Sequence, residues 1–214
     1  MPQQNTSAGT LGQWAAMMQV VLQTLYAGVT IIGLATLPAP DVQIQDPWFT
    51  LMELLILLMI PSLVVLAAAL HEWVPPRNRV FSLASLIFMA GLVVVTALVH
   101  FPVLTLSRLS PFSAHPEVFA FTWPSVVYAA DILAWDVFFP LMALAAAAAL
   151  PGTGAARIAR ALLVASAVLA FAGLLGIPLA NMQIRNIGIV GYALVYPAAL
   201  VPLALALRHS ATGR

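Results

Sequence analysis

A bundle of six membrane-spanning helices, several of them kinked by proline and with both termini cytoplasmic, is the fold this sequence predicts. Three observations carry it. Hydrophobic residues fill 63% of the 214 positions and charged ones only 7%, far below the roughly 25% charged residues of a soluble domain. Apolar runs long enough to cross a bilayer, which takes about 20 residues, recur six times along the chain. The arginines also fall on alternate sides of those runs, as the positive-inside rule requires.

The spans are placed at residues 13–37, 48–70, 80–103, 125–150, 158–180 and 187–207, in a single membrane domain covering residues 1–214. The first has no basic region before it and is too long for a signal-peptide core, so it reads as an uncleaved span. Within it Gln19, Gln23, Tyr26 and Thr30 recur at helical spacing on one face. Such a face either bonds to a neighbouring helix or walls a polar cavity. The loop to the second span holds Asp41 and Asp46, and that span carries Glu53 near its start and Pro61 further on. The Pro75-Pro76 loop with Arg77 and Arg79 then marks a membrane face.

Small residues Ser82 and Ser85 open the third span and suit close packing. His100 lies near its far end, where its titration range suits proton transfer as well as simple hydrogen bonding. The connection 104–124 is aromatic, with Phe112, Phe119, Phe121 and Trp123, and reads as an interfacial segment or a lid over a pocket. The fourth span holds Asp131 and Asp136, with Pro140 four residues past the second. Proline leaves the Asp136 carbonyl without its helical partner and bends the helix there. Gly173, Gly176 and Pro178 give the fifth span a close-packing pattern with a kink, and the sixth begins after Arg185 with Gly188, Tyr192 and Tyr196 on one face.

With the first residue inside, Arg77, Arg79, Arg157, Arg160, Arg208 and Arg214 are cytoplasmic and only Arg108 and Arg185 are not. A cell inner membrane, multi-pass location follows. That orientation puts Glu53, His100, Asp131 and Arg185 in the outer half, Asp136 near the midplane, and Tyr192 and Tyr196 deeper still. Ionisable groups at such depth are functional-site candidates.

Asp131 and Asp136 would stand about 140° apart on a straight α-helix and about 7.5 Å apart along it. The economical assignment pairs Asp131 with Arg185 or His100 and leaves Asp136 as a deeper acid without a cation. Three readings follow. The first is a polar pocket that binds, senses or passes a small amphiphile, lined by Gln23, Tyr26, Glu53, His100, Asp131, Trp135, Asp136, Arg185, Tyr192 and Tyr196. The second is an intramembrane acid–base enzyme with Asp136 as proton donor and Trp135, Tyr192 and Tyr196 as π-faces toward developing cationic charge. The third is a structural subunit whose buried charges only lock helix packing.

Buried acids among aromatics chemically resemble the sites of polytopic terpene cyclases and sterol isomerases, although no motif is shared. That resemblance implies an isoprenoid or other lipid-like molecule as ligand. Lysine and cysteine are absent, which excludes Schiff-base and thiol chemistry. A triad of Ser107 or Ser110 with His100 and Asp131 lacks a nucleophile elbow. Metal ligation by Glu53, His100 and Asp131 lacks a spacing signature, so neither a metal nor a cofactor is implied. A net charge of +1 gives no reason to expect nucleic acid as a partner, only the lipid bilayer.

Overall fold

The structure, a computed structural model, describes residues 6–39, 42 and 44–211. Two charges named above, Asp41 and Arg214, lie outside the described residues. Among the described residues, six helices are long and apolar enough to cross a membrane. They are α1 (Thr6–Ala35), α2 (Trp48–Trp73), α3 (Arg79–Thr105), α4 (Val126–Ala149), α5 (Gly154–Leu174) and α6 (Met182–Arg208). The large apolar side chains left exposed, Trp14, Ile31, Val80 and Leu98 among them, face outward from these helices. Lipid tails are as apolar as leucine, so in a bilayer such faces need no further cover.

The helices form a closed ring in chain order. Each packs on the next, and α6 closes the ring against α1. Short connections make neighbours antiparallel. The first turns of α1 therefore stand beside the last turns of α2 and α6, where a Cβ added at Gly12 would lie 3.1 Å from both Ala69 and Leu207. The opposite face carries the α1–α2, α3–α4 and α5–α6 connections.

Polar side chains fasten the ring where apolar contact gives no preference over lipid. Gln19 Nε2 donates to the Met59 carbonyl and to Ser62 Oγ, both at 2.7 Å, tying α1 to α2. Ser85 Oγ donates to the Met142 carbonyl at 3.1 Å between α3 and α4, and Ser166 Oγ to the Gly191 carbonyl at 2.9 Å between α5 and α6. Replacing Gln19 with leucine removes both α1–α2 bonds and the acceptor used by Gln23. The expected loss is about 0.6–1.7 kcal/mol, the range of interhelical hydrogen bonds in membranes. Thermal unfolding in nanodiscs reads it, and an unchanged midpoint would deny Gln19 that role.

The fifth helix departs from expectation. It begins at Gly154 and ends at Leu174, so Arg157 and Arg160 sit inside its first turns and Gly176 and Pro178 lie beyond its end. Residues 175–180 turn instead, with Ala180 at φ 49°. Proline just past a helix end is favoured because it cannot continue the helix.

Two helices contain a π turn, and each π turn runs up to a proline. In α4 the wide turn is Leu133–Phe138, where the Phe139 N–H bonds to the Ala134 carbonyl. In α6 it is Gly191–Val195, where the Tyr196 N–H bonds to the Gly191 carbonyl. The physical cause is shared. Pro140 and Pro197 each lack an N–H and crowd the carbonyl four residues back. Widening the preceding turn to i→i+5 bonding moves that carbonyl aside while the neighbouring groups stay paired.

Candidate functional site: a buried charge network

Four helices contribute ionisable side chains to one place. Glu53 from α2, His100 from α3, Asp131 and Asp136 from α4, and Arg185 from the start of α6 are all buried, Asp136 completely. His100 Nδ1 lies 2.8 Å from Glu53 Oε2, and His100 Nε2 lies 3.4 Å from Asp131 Oδ1. Arg185 then bridges the two aspartates. Its Nη2 donates to Asp131 Oδ2 at 2.5 Å and its Nε to Asp136 Oδ2 at 3.1 Å. The result is a run of ion pairs, Glu53–His100–Asp131–Arg185–Asp136, hydrogen-bonded at every link except His100 Nε2 to Asp131.

This geometry revises the expected assignment of the aspartates. Asp131 pairs with both His100 and Arg185 rather than with one of them. Asp136 does not stand apart without a cation, because the same guanidinium reaches it. The straight-helix spacing fails because the π turn at Leu133–Phe138 intervenes. Guanidinium geometry does the rest, since its donors point in fixed directions and serve two carboxylates at once.

Aromatic rings close the network on two sides. The Arg185 guanidinium carbon stands 4.6 Å from the centroid of the Tyr128 ring, a cation–π contact. Phe121 lies 5.5 Å from His100 and 5.4 Å from Tyr128, ring centre to ring centre. On the deeper side Trp135 stacks at 5.2 Å on Tyr192, and Phe139 meets Tyr192 and Tyr196 edge to face. Tyr196 itself borders a small apolar void among Leu66, Met89 and Leu200, away from the charges.

Backbone closes the remaining side. A Cβ added to Gly188 would lie 2.5 Å from Asp136 Oδ1, and one added to Gly173 would lie 2.9 Å from the Gly188 backbone. Asp136 thus fits a niche that only glycine on both α5 and α6 leaves open.

The α1 residues are placed differently. Gln23 donates to Gln19 Oε1 at 3.4 Å within α1, and its own Oε1 is buried without a hydrogen-bond partner. Tyr26 packs against the apolar core and lies within electrostatic range of Glu53, Asp131 and Arg185. Ser107 gives its hydroxyl hydrogen to the Val103 carbonyl at 2.5 Å, which engages it away from His100.

Above the network, among the α1–α2 and α3–α4 connections, is a cavity of about 420 Å³. Phe49, Phe112, Phe119 and Phe121 give it apolar walls, and Asp46, Arg108 and His115 give it polar ones. Arg108 is paired in a fork with both carboxylate oxygens of Asp46 and lies over the Phe49 ring. The Thr50 hydroxyl and then the Arg108 guanidinium hold the Asp46 carboxyl below its usual range. Phe121 is common to both places, one wall of the cavity and the ring against His100. The sequence pointed to an aromatic connection but gave no signal for the Asp46–Arg108 pair, since 62 residues separate its members.

No protein family matches the chain, no curated protein resembles it in sequence, and no solved structure resembles it in fold.

Proposed function

We propose that this multi-pass membrane protein binds a small amphiphile in the cavity over the charge network, senses it or passes it on. The observation that carries this reading is Phe121, which lines a cavity of ligand size with both polar and aromatic walls and also lies against His100 of the buried charges. Ligand pockets commonly measure about 300–1,000 Å³ and set a few polar groups in apolar walls. The apolar part of the ligand, lipid-like or isoprenoid, lies against the phenylalanines, and its polar end lies at Asp46, Arg108 and His115. The distribution of arginines supports an orientation with this face outside an inner membrane and both termini cytoplasmic.

The intramembrane-enzyme reading is less well supported. As a proton donor Asp136 would carry its proton on Oδ1, since Oδ2 accepts from Arg185, and Oδ1 is buried in the glycine niche.

Native mass spectrometry of protein released from nanodiscs tests the proposal. A discrete bound mass is expected with the wild-type chain. Phe121→Ala and Arg108→Ala are each expected to weaken its retention about tenfold, the effect of losing about 1.4 kcal/mol of contact. Bulk phospholipid alone, the same in all three proteins, would refute a specific ligand.

A further inference from the structure

We infer that Glu53, His100 and Asp131 form a proton-binding site within the membrane, with the proton held as an imidazolium between two carboxylates. The reason is geometric. Both ring nitrogens of His100 face carboxylate oxygens, Nδ1 at 2.8 Å and Nε2 at 3.4 Å. A neutral imidazole has one N–H and one bare lone pair. In either tautomer that lone pair would stand beside a carboxylate oxygen, repelling it inside a buried site. The doubly protonated ring donates a hydrogen bond to Glu53 and sets its second N–H beside Asp131, an ion-pair contact without hydrogen-bond alignment that gives the otherwise unpartnered Nε2 a favourable neighbour.

The charges around the site favour the same state. Facing His100 are Glu53 from α2 and Asp131 from α4, with Phe121 of the α3–α4 connection contributing no charge. Behind Asp131 stand Arg185 of α6, Tyr128 and Asp136 of α4, and Tyr192 of α6, and from α1 comes Tyr26. Three carboxylates therefore meet one permanent cation. An imidazolium reduces the surplus negative charge to a single unit, and charge at this depth is expensive to leave uncompensated. The surplus that remains makes the network a host for protons and not for anions.

The proton comes from water in the cavity above, and it adds to an imidazole nitrogen without any other bond being broken. Phe121 is the ring common to both places, lining the cavity and lying 5.5 Å from His100. The inference is independent of which ligand, if any, the cavity takes. It adds a bound proton to the properties of this protein.

The test is ring nitrogen NMR on the full chain in lipid nanodiscs, with nitrogen-15 in the histidines. The triple variant His71→Gln, His115→Gln, His209→Gln leaves His100 as the only signal. At about pH 8 a free imidazole, with its ordinary pKa of about 6.5, is almost wholly neutral. The expected result is a His100 signal with both nitrogens protonated. Glu53→Gln in that background is expected to convert it at the same pH to the form with one protonated nitrogen. The wild-type chain read alongside shows whether the triple variant has altered the site, because its fourth signal must coincide. A wild-type His100 signal of the neutral form, or a doubly protonated signal that persists at that pH in Glu53→Gln, would overturn the inference.

Discussion

Replacing Arg185 with leucine is expected to cost about 3–5 kcal/mol, the usual penalty for removing one partner from a buried ion pair. The reason is the number of groups it strands. Asp131 and Asp136 both bond to this guanidinium, and the face of Tyr128 rests on it. Arg185→Lys is expected to rescue little, because an ammonium is a point charge and cannot span two carboxylates with fixed donors. Adding Asp131→Asn and Asp136→Asn to the leucine variant should recover part of the loss, since the stranded charges disappear with their partner. Equilibrium unfolding in detergent micelles measures all three. A leucine variant as stable as the wild type would mean that the network contributes nothing to holding the ring together.

The second large effect is expected at Gly173, where alanine should destabilise by about 1–3 kcal/mol, the usual penalty for overpacking a tight contact. The new methyl group would meet the Gly188 Cα and N at 2.9 Å and Asp136 Oδ1 at 3.0 Å. Backbone cannot rotate away as a long side chain can, so α5 and α6 must separate, and Arg185 moves with α6. Gly28→Ala on α1 provides the contrast. A Cβ there meets nothing within 4 Å, and alanine in a helix interior is favoured over glycine by about 0.5–1 kcal/mol. Opposite signs at the two glycines would identify the α5–α6 approach, and not glycine as such, as the requirement. Equal effects would refute it.

Much of the fold could be read from the chain because lipid imposes one demand on every span: about 20 apolar residues with all backbone groups paired internally. The depth of the ionisable groups was legible for the same reason, since each span has one start and a fixed rise. Where depth sufficed, Glu53, His100, Asp131 and Arg185 could be expected at one level. Their actual partners could not, because these depend on the order of helices around the ring and on the angle at which each side chain faces inward. The π turn before Pro140 shows the limit. The sequence marks the proline, but whether the helix answers by bending or by widening depends on what the displaced carbonyl then meets. Gln19 and Gln23 lie on a face that was legible, while the use of Gln19 in packing against α2 depends on which helix stands opposite.

The ring closes only where α6 meets α1, and this has a consequence for how the protein is made. Synthesis delivers helices in order, so α2, α3 and α4 are complete before Arg185 leaves the ribosome. During that interval the nascent bundle holds Glu53, Asp131 and Asp136 with no guanidinium to meet them. Among the described residues, His100 is the basic group beside them that the growing chain already holds. The last helix is therefore the one that neutralises the interior, and a chain stopped before it would be left with an acidic, unfinished seam of the kind that membrane quality control removes.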